Sequence, residues 1–91
     1  MVAFGDRAGL KMHYVYVLKS LKDSKLYTGL TNNTARRLEE HNTGKVFATS
    51  GRRPFVLVHV EKFDNRTDAA RREKFLKSGV GRKHLHQLIK D

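Results

Sequence analysis

Two short segments decide the fold: HYVYVL at residues 13–18 and KLYTGL at residues 25–30. Both are rich in β-branched and aromatic residues, and the intervening Lys22-Asp23-Ser24 is typical of a turn. They therefore predict an antiparallel hairpin. Because side chains alternate along a strand, the aromatic residues of the first segment should lie on one face and its two valines on the other.

Beyond the hairpin, the pattern predicts one more strand and three helical segments. These are a helix at 34–41, a strand at 55–62, a helix at 69–77 and an amphipathic segment at 82–90. We expect Asn32 or Asn33 to cap the first helix and Thr67 or Asp68 to cap the second. A polar loop joins the first helix to the third strand. The order ββαβαα predicts an α+β fold with a three-stranded antiparallel sheet flanked by helices.

Composition limits the function classes. The chain has 91 residues, a formal charge of +10 and no cysteine, so a disulfide framework and a thiolate metal site are excluded. We expect a flexible leader at 1–11 and a single domain at 12–91. The positive charge is spread along the chain and not gathered in a tail, which favours a polyanionic partner such as nucleic acid. A merely basic protein is the alternative. No apolar run predicts a membrane segment, and we expect a cytoplasmic, nucleoid-associated protein.

The first predicted helix carries two polar residues of chemical interest. It should bury Ala35 and Leu38, while Arg37 and His41 are four residues apart and share one side next to the apolar stripe. Arginine matches phosphate oxygens in bidentate fashion, so the two residues make a plausible phosphate-handling pair. A solvated helix face is the alternative.

A single carboxylate stands out in the second predicted helix. Glu73 lies four residues after Ala69 and three before Leu76, so it shares the face that should pack on the sheet. A carboxylate there must be paired, protonated or bound to a cation. The spacing leaves an ion pair with a neighbouring Arg of this arginine-rich helix and a cation site as equal alternatives.

Two tyrosines lie on neighbouring strands of the hairpin, Tyr16 before the turn and Tyr27 after it. Taken alone, such a pair favours packing. Gly29 shares a face with Tyr27, and a glycine inside a strand indicates a bulge or a close approach to the backbone.

Together these residues resemble the GIY-YIG nuclease superfamily, in particular its small stand-alone bacterial members and the N-terminal domain of the excision-repair nuclease. Tyr14-Val15-Tyr16 stands where the family name has Gly-Ile-Tyr, and Tyr27-Thr28-Gly29 where it has Tyr-Ile-Gly. Arg37 matches the helical arginine, His41 follows it as in many members, and Glu73 matches the metal-binding glutamate.

The resemblance implies a metal-dependent endonuclease that hydrolyses phosphodiester bonds in DNA, with DNA favoured over RNA. The enzyme is expected to nick or to select structured substrates, in repair or recombination. Glu73 would hold one Mg²⁺ or Mn²⁺ ion per active site, and Arg37 would neutralise charge on the phosphoryl oxygens. Tyr16 would lie nearest the attacking water, His41 would accept a proton and Tyr27 would orient the phosphate.

Further basic residues could line a groove along the nucleic-acid backbone, or could form a solvated shell. They are Lys45, Arg52, Arg53, Lys77, Arg82 and Lys83. We expect a monomer or weak dimer that acts as a partner in a repair complex. The alternative is a catalytically weak or inactive nucleic-acid-binding module. The Asn that many members carry near the last helix is missing from residues 74–91, which supports this alternative, whereas the five matching site residues oppose it. An RNA-associated basic protein is a third interpretation.

Overall fold

The computed structural model describes residues 12–89, so the predicted leader at 1–11 lies outside the described residues. The elements are β1 His13–Ser20, β2 Leu26–Thr31, α1 Thr34–Asn42, a 3₁₀ helix Phe47–Arg52, β3 Phe55–Phe63, α2 Arg66–Lys77 and α3 Gly79–Leu88. The predicted α+β class and the order ββαβαα are confirmed. The segment predicted as a loop contains the 3₁₀ helix in addition.

The sheet is antiparallel with strand order β2-β1-β3, so β1 lies in the centre. Tyr16 faces Gly29 across the β1–β2 pair, and Leu18 faces Tyr27. The β1–β3 pairing shifts register between Val17 and Leu18. Since directly paired residues point to the same side of a sheet, this register places Tyr16 and Tyr27 on one face.

Each face of the sheet covers its own apolar cluster. Val15 and Val17 pack with residues of α2 and α3, while Tyr16 and Leu18 pack on the other face with Phe55. Leu38 of α1 closes this second cluster. The alternation predicted for β1 is therefore confirmed, and the sheet is a middle layer between α1 on one side and the α2–α3 pair on the other.

Burial along α1 differs from the prediction at one position. Ala35 is exposed, Leu38 is half-buried and His41 is fully buried. The side of the helix that carries Thr34, Arg37, Leu38 and His41 is partly or fully buried, so α1 turns this side towards the sheet and Ala35 away from it. The expectation that Ala35 is buried was wrong, and a histidine takes the innermost place. Asn33 caps the helix by accepting a hydrogen bond from the backbone N–H of Arg36 at 3.0 Å.

The starts of the last two helices also differ from the prediction. Asn65, not Thr67 or Asp68, caps α2, because its side chain accepts a hydrogen bond from the backbone N–H of Asp68 at 2.8 Å. α3 begins at Gly79 and contains Gly81, where a Cβ would meet the carbonyl oxygen of Phe75. The backbones of α2 and α3 therefore touch at this point, and only glycine allows it. No helix among residues 12–89 is long and apolar enough to cross a membrane.

Candidate active site

Tyr16 is the centre of the site, on the face of the sheet that α1 covers. Only 1% of its surface is exposed. Its ring lies over Gly29 of the neighbouring strand, where a Cβ would be 2.5 Å from Cζ of Tyr16. The close approach indicated by a glycine in β2 is thus made by the Tyr16 phenol. Gly29 creates the space in which the phenol oxygen reaches α1.

A continuous chain of hydrogen bonds runs through the Tyr16 oxygen. Nε of Arg37 donates to Oη of Tyr16 at 3.3 Å, and Oη lies 3.0 Å from Nε2 of His41. On the far side of the ring, Nδ1 of His41 lies 2.7 Å from Oγ1 of Thr49. The Thr49 hydroxyl in turn donates to the carbonyl oxygen of Val46 at 3.4 Å.

The proton positions follow from the ends of this chain. Arg37 can only donate, and the hydroxyl of Thr49 gives its proton to a carbonyl oxygen. Oγ1 of Thr49 therefore accepts a hydrogen bond from the Nδ1–H group of His41, which leaves Nε2 as the acceptor for the O–H of Tyr16. Every donor then has an acceptor, and the chain has one direction, from Arg37 to Val46.

Burial keeps the two central groups neutral at neutral pH. It raises the pKa of the Tyr16 phenol, against the hydrogen bond from Arg37, and the charges of Tyr27 and Glu73 raise this pKa further. Burial is the main cause that lowers the pKa of His41. The positive charge of Arg37 lowers this pKa further, and the negative charge of Glu40 opposes both. An uncharged imidazole with a free Nε2 is what the assigned hydrogen-bond direction requires.

Tyr27 completes the aromatic part of the site. Its ring centroid lies 4.8 Å from that of His41 and 6.3 Å from that of Tyr16. Phe55 of β3 packs on the other side of the imidazole, with ring centroids 5.8 Å apart. Four residues singled out from the sequence, Tyr16, Tyr27, Arg37 and His41, are therefore in one cluster.

Arg37 divides its donors between two partners. Its Nε bonds to Tyr16, and its Nη1 donates to Oε1 of Glu40 at 2.9 Å. This contact holds the pKa of the Glu40 carboxyl below its usual range. Within residues 12–89, Nη2 of Arg37 makes no hydrogen bond. One terminal nitrogen of the guanidinium is thus left to bind an oxygen of another molecule.

Glu73 belongs to α2, which packs beside α3 against the opposite face of the sheet. Its side chain is 22% exposed, and its Oε2 forms an ion pair with Nζ of Lys77 at 3.1 Å. It makes no hydrogen bond to the Tyr16 cluster, but its charge is close enough to raise the pKa of the Tyr16 phenol. Glu73 therefore acts on the Tyr16 cluster through the charge of its carboxylate and not through a direct contact.

The donor set fits a hard divalent cation only in part. Among residues 12–89, no group of three or more His, Cys, Asp or Glu side chains could form a closed metal site. Mg²⁺, however, commonly keeps several waters and uses one or two carboxylates together with substrate phosphates. A single half-exposed carboxylate such as Glu73 fits that type of site.

The six basic residues expected to contact nucleic acid separate into two groups. Arg52, Lys77 and Arg82 line one cavity of about 500 Å³ beside β2, between the hairpin turn and α3. Lys25 and His86, which were not singled out from the sequence, line the same cavity. The remaining three, Lys45, Arg53 and Lys83, are exposed and lie elsewhere.

Two residues of the site were missed by sequence reasoning. Glu40 follows Arg37 by three residues on a helix, a spacing that brings side chains together, so this partner was readable. Thr49 lies in a segment predicted as an irregular loop, and no local pattern connects it to His41. Only the folded structure makes that contact.

The geometry can now be compared with known families. The model of the GIY-YIG catalytic domain matches residues 12–85. The chain belongs to the GIY-YIG family. This family is of the nuclease type, and nucleic acid is the partner that its catalytic domain implies.

Relatives and a solved structure agree with this assignment. A UPF0213 protein of Natronomonas pharaonis is 46% identical over 80 residues, which span 87% of this chain and 92% of that protein. A UPF0213 protein of Clostridium perfringens is 48% identical over 79 residues, which span 86% and 83%. The solution NMR structure of a UPF0213 protein from Bacillus halodurans has a TM-score of 0.53 and 39% identity, and covers 85% of this chain and 84% of that one.

Proposed function

We propose that the protein is a metal-dependent endonuclease that hydrolyses phosphodiester bonds in DNA, and that it nicks single strands of structured substrates. The observation that carries the proposal is the directional hydrogen-bond chain through Tyr16. The phenol oxygen lies between a guanidinium and a neutral imidazole, at 3.3 Å and 3.0 Å. Such an arrangement suits proton removal from water next to a phosphate.

A phenol with a raised pKa is a poor base alone, so its partner matters. In the proposed step, Oη of Tyr16 takes a proton from the attacking water while its own proton passes to Nε2 of His41. The imidazole can accept because burial lowers its pKa and keeps it neutral. Thr49 holds the ring in the required tautomer through its contact with Nδ1.

Arg37 serves the phosphate in this proposal. Its Nη2 is available to a phosphoryl oxygen, and its Nη1 joins when the contact with Glu40 opens. A guanidinium neutralises charge that develops on the phosphoryl oxygens and keeps its own charge at any working pH. Tyr27, packed against the imidazole, would orient the same phosphate.

Glu73 is the residue proposed to hold one Mg²⁺ or Mn²⁺ ion. When bound there, the cation would supply charge neutralisation at the phosphate and at the departing 3′ oxygen. Lys77 must then release the Glu73 carboxylate, which its ammonium contacts at 3.1 Å. Because one such site occurs in a domain of this size, a monomer would cut one strand at a time.

A second candidate is a nucleic-acid-binding module that does not cut. It is favoured by the ion pairs that occupy Arg37 and Glu73, and by the 1% exposure of Tyr16. In this alternative the chain would bind structured nucleic acid through its basic residues, and the polar cluster would only support the fold.

The test uses labelled plain, nicked, flapped and branched DNA in Mg²⁺, Mn²⁺ or EDTA. Wild type is compared with Arg37→Ala and Glu73→Gln, and with Arg36→Ala as a control, since Arg36 is an exposed neighbour on the same helix. Metal-dependent cutting that both site variants lose and Arg36→Ala keeps would support the proposal. Binding with a steep salt dependence but no cutting by any of these proteins would favour the second candidate.

A further inference from the structure

The most exposed large apolar residue among residues 12–89 lies beside the candidate active site. Phe47 is 92% exposed, although it begins an ordered 3₁₀ helix. Phe55, by contrast, is 2% exposed in the core next to His41. Burying a phenylalanine normally stabilises a small domain, so an ordered ring that stays in water next to a polar site is a candidate contact for a ligand.

The 3₁₀ helix ties this ring to the active site. Thr49, two residues after Phe47, is buried and contacts Nδ1 of His41 at 2.7 Å. A 3₁₀ helix rises about 2 Å per residue with three residues per turn, so Phe47 starts within about one turn of Thr49 but points to a different side. The hydroxyl of Ser50 donates to the carbonyl oxygen of Phe47 at 3.1 Å and fixes the first turn. The residue that carries the exposed ring therefore belongs to the same ordered segment that contacts His41.

Two basic residues lie close to Phe47 along the chain. Lys45 is exposed two residues before it, and Nε of Arg53 donates to the carbonyl oxygen of Ser50 at 2.8 Å. The guanidinium of Arg53 also lies over Gly44, where a Cβ would be 2.9 Å from Nη1. Within residues 12–89, neither Lys45 nor Arg53 is in an ion pair. An exposed aromatic side chain with a cation on either side of it in the chain, neither of them in an ion pair among the described residues, suits a base with a phosphate on either side.

We propose that Phe47 is a stacking platform for an unpaired nucleobase next to the scissile phosphate, with Lys45 and Arg53 contacting the adjoining phosphates. The proposal rests on the proposed nucleic-acid substrate and adds its class, a strand with at least one unstacked base. Aromatic side chains stack on single-stranded bases of any sequence, whereas both faces of a base inside a duplex are covered. Phe47 thus selects flaps, branches and single strands over continuous duplex.

The absence of tryptophan from the sequence gives a direct probe. Phe47→Trp introduces a single indole, whose emission is followed while a single-stranded or flapped oligonucleotide is added in EDTA. We expect quenching with these ligands and little change with a fully paired duplex of equal length. Val80→Trp is the matched control, because Val80 is 70% exposed on α3, across the sheet from the site.

Affinity gives the second measurement. By anisotropy in EDTA, Phe47→Ala should bind the single strand and the flapped substrate about 5- to 150-fold more weakly, the range for one stacked base. Its affinity for the paired duplex should stay near that of wild type, and Phe47→Trp should restore binding. Because Phe47 is exposed, Phe47→Ala should keep the wild-type circular dichroism spectrum and melting temperature.

Two results would overturn the proposal: equal affinities of Phe47→Ala and wild type for the single strand, or an equal loss for single strand and duplex. Because binding is measured without metal, the result does not depend on cleavage. If wild type cuts DNA and Phe47→Ala binds and cuts like it, the stacking proposal fails and the endonuclease proposal stands. If Phe47→Ala loses single-strand binding but wild type never cuts, the stacking platform stands and the catalytic proposal fails.

Discussion

Replacing Thr49 by valine tests the hydrogen-bond chain at a residue that sequence reasoning did not find. Thr49 and His41 are 1% and 0% exposed, and the contact between Oγ1 and Nδ1 is 2.7 Å long. Valine keeps the branched shape but removes the acceptor. The carbonyl oxygen of Val46 keeps a partner, because it also accepts from the backbone N–H of Thr49 at 3.1 Å. The substitution therefore isolates one buried N–H group of the imidazole.

The magnitude follows from that isolation. A buried donor left without an acceptor lowers the free energy of unfolding by about 1–3 kcal/mol. For a domain of this size, the melting temperature should fall by roughly 5–20 °C. The imidazole can reduce the loss by moving its proton to Nε2, but Nε2 then donates to Tyr16 and can no longer accept from it. If the proton moves in this way, Thr49→Val should lose less stability, but Tyr16 should no longer be able to pass its proton to Nε2 of His41.

Two measurements separate these effects. Thermal unfolding followed by circular dichroism gives the stability, and ¹⁵N NMR of the imidazole gives the tautomer. We expect Nδ1–H in wild type and a shift to Nε2–H in Thr49→Val, with a large fall in any cleavage rate. Thr49→Ser is the control: it keeps the acceptor, so it should keep the tautomer and lose only the contribution of one methyl group, about 1 kcal/mol.

The reasoning would be refuted by a Thr49→Val variant that has the wild-type melting temperature and the wild-type Nδ1–H tautomer. That result would mean that another group accepts from Nδ1, and that the hydroxyl of residue 49 does not orient the ring. Wild type with Nε2–H as the resting tautomer would reverse the assigned direction of the chain even before any substitution.

Three further predictions concern the same cluster. Gly29→Ala places a Cβ 2.5 Å from Cζ of Tyr16, so denaturant titration should give a loss of about 1–3 kcal/mol; wild-type stability would contradict the observed packing. The pKa of His41 is lowered by burial, so its stabilising contribution is present above the usual histidine pKa of about 6.5 and is lost as pH falls below it. The free energy of unfolding measured from pH 5 to 8 should show this loss in wild type and not in His41→Gln. The cleavage rate should rise with pH over the same window. Lys77→Met removes the ammonium 3.1 Å from Oε2 of Glu73, so calorimetry should find Mn²⁺ bound more tightly by up to about five-fold, the range for a partly exposed pair; weaker binding would mean that Lys77 does not compete with the cation.

The sequence by itself determined the two faces of the hairpin. Side-chain direction in a strand alternates residue by residue, so Tyr16 had to point away from Val15 and Val17, and Tyr27 had to share a face with Gly29. The pairing register then put Tyr16 and Tyr27 on the same face. Helical spacing likewise put Arg37 and His41 on one side of α1. These are local properties, and the structure keeps them. The spacing of the motif residues also sufficed to indicate the family that the comparison established.

Only the tertiary structure decided which side of each helix faces the sheet and which residues of different elements come into contact. It buried His41 instead of Ala35, because α1 turns the side with Arg37, Leu38 and His41 towards the sheet. It chose Asn65 over two equally suitable caps within the next three residues. It also brought the hydroxyl of Thr49 into hydrogen-bond contact with the imidazole of His41 and left Phe47 exposed, although both lie in one short 3₁₀ helix. Periodicity gives a side chain its direction within its own element. Contacts between elements depend on how whole elements pack, and no local sequence pattern encodes that packing.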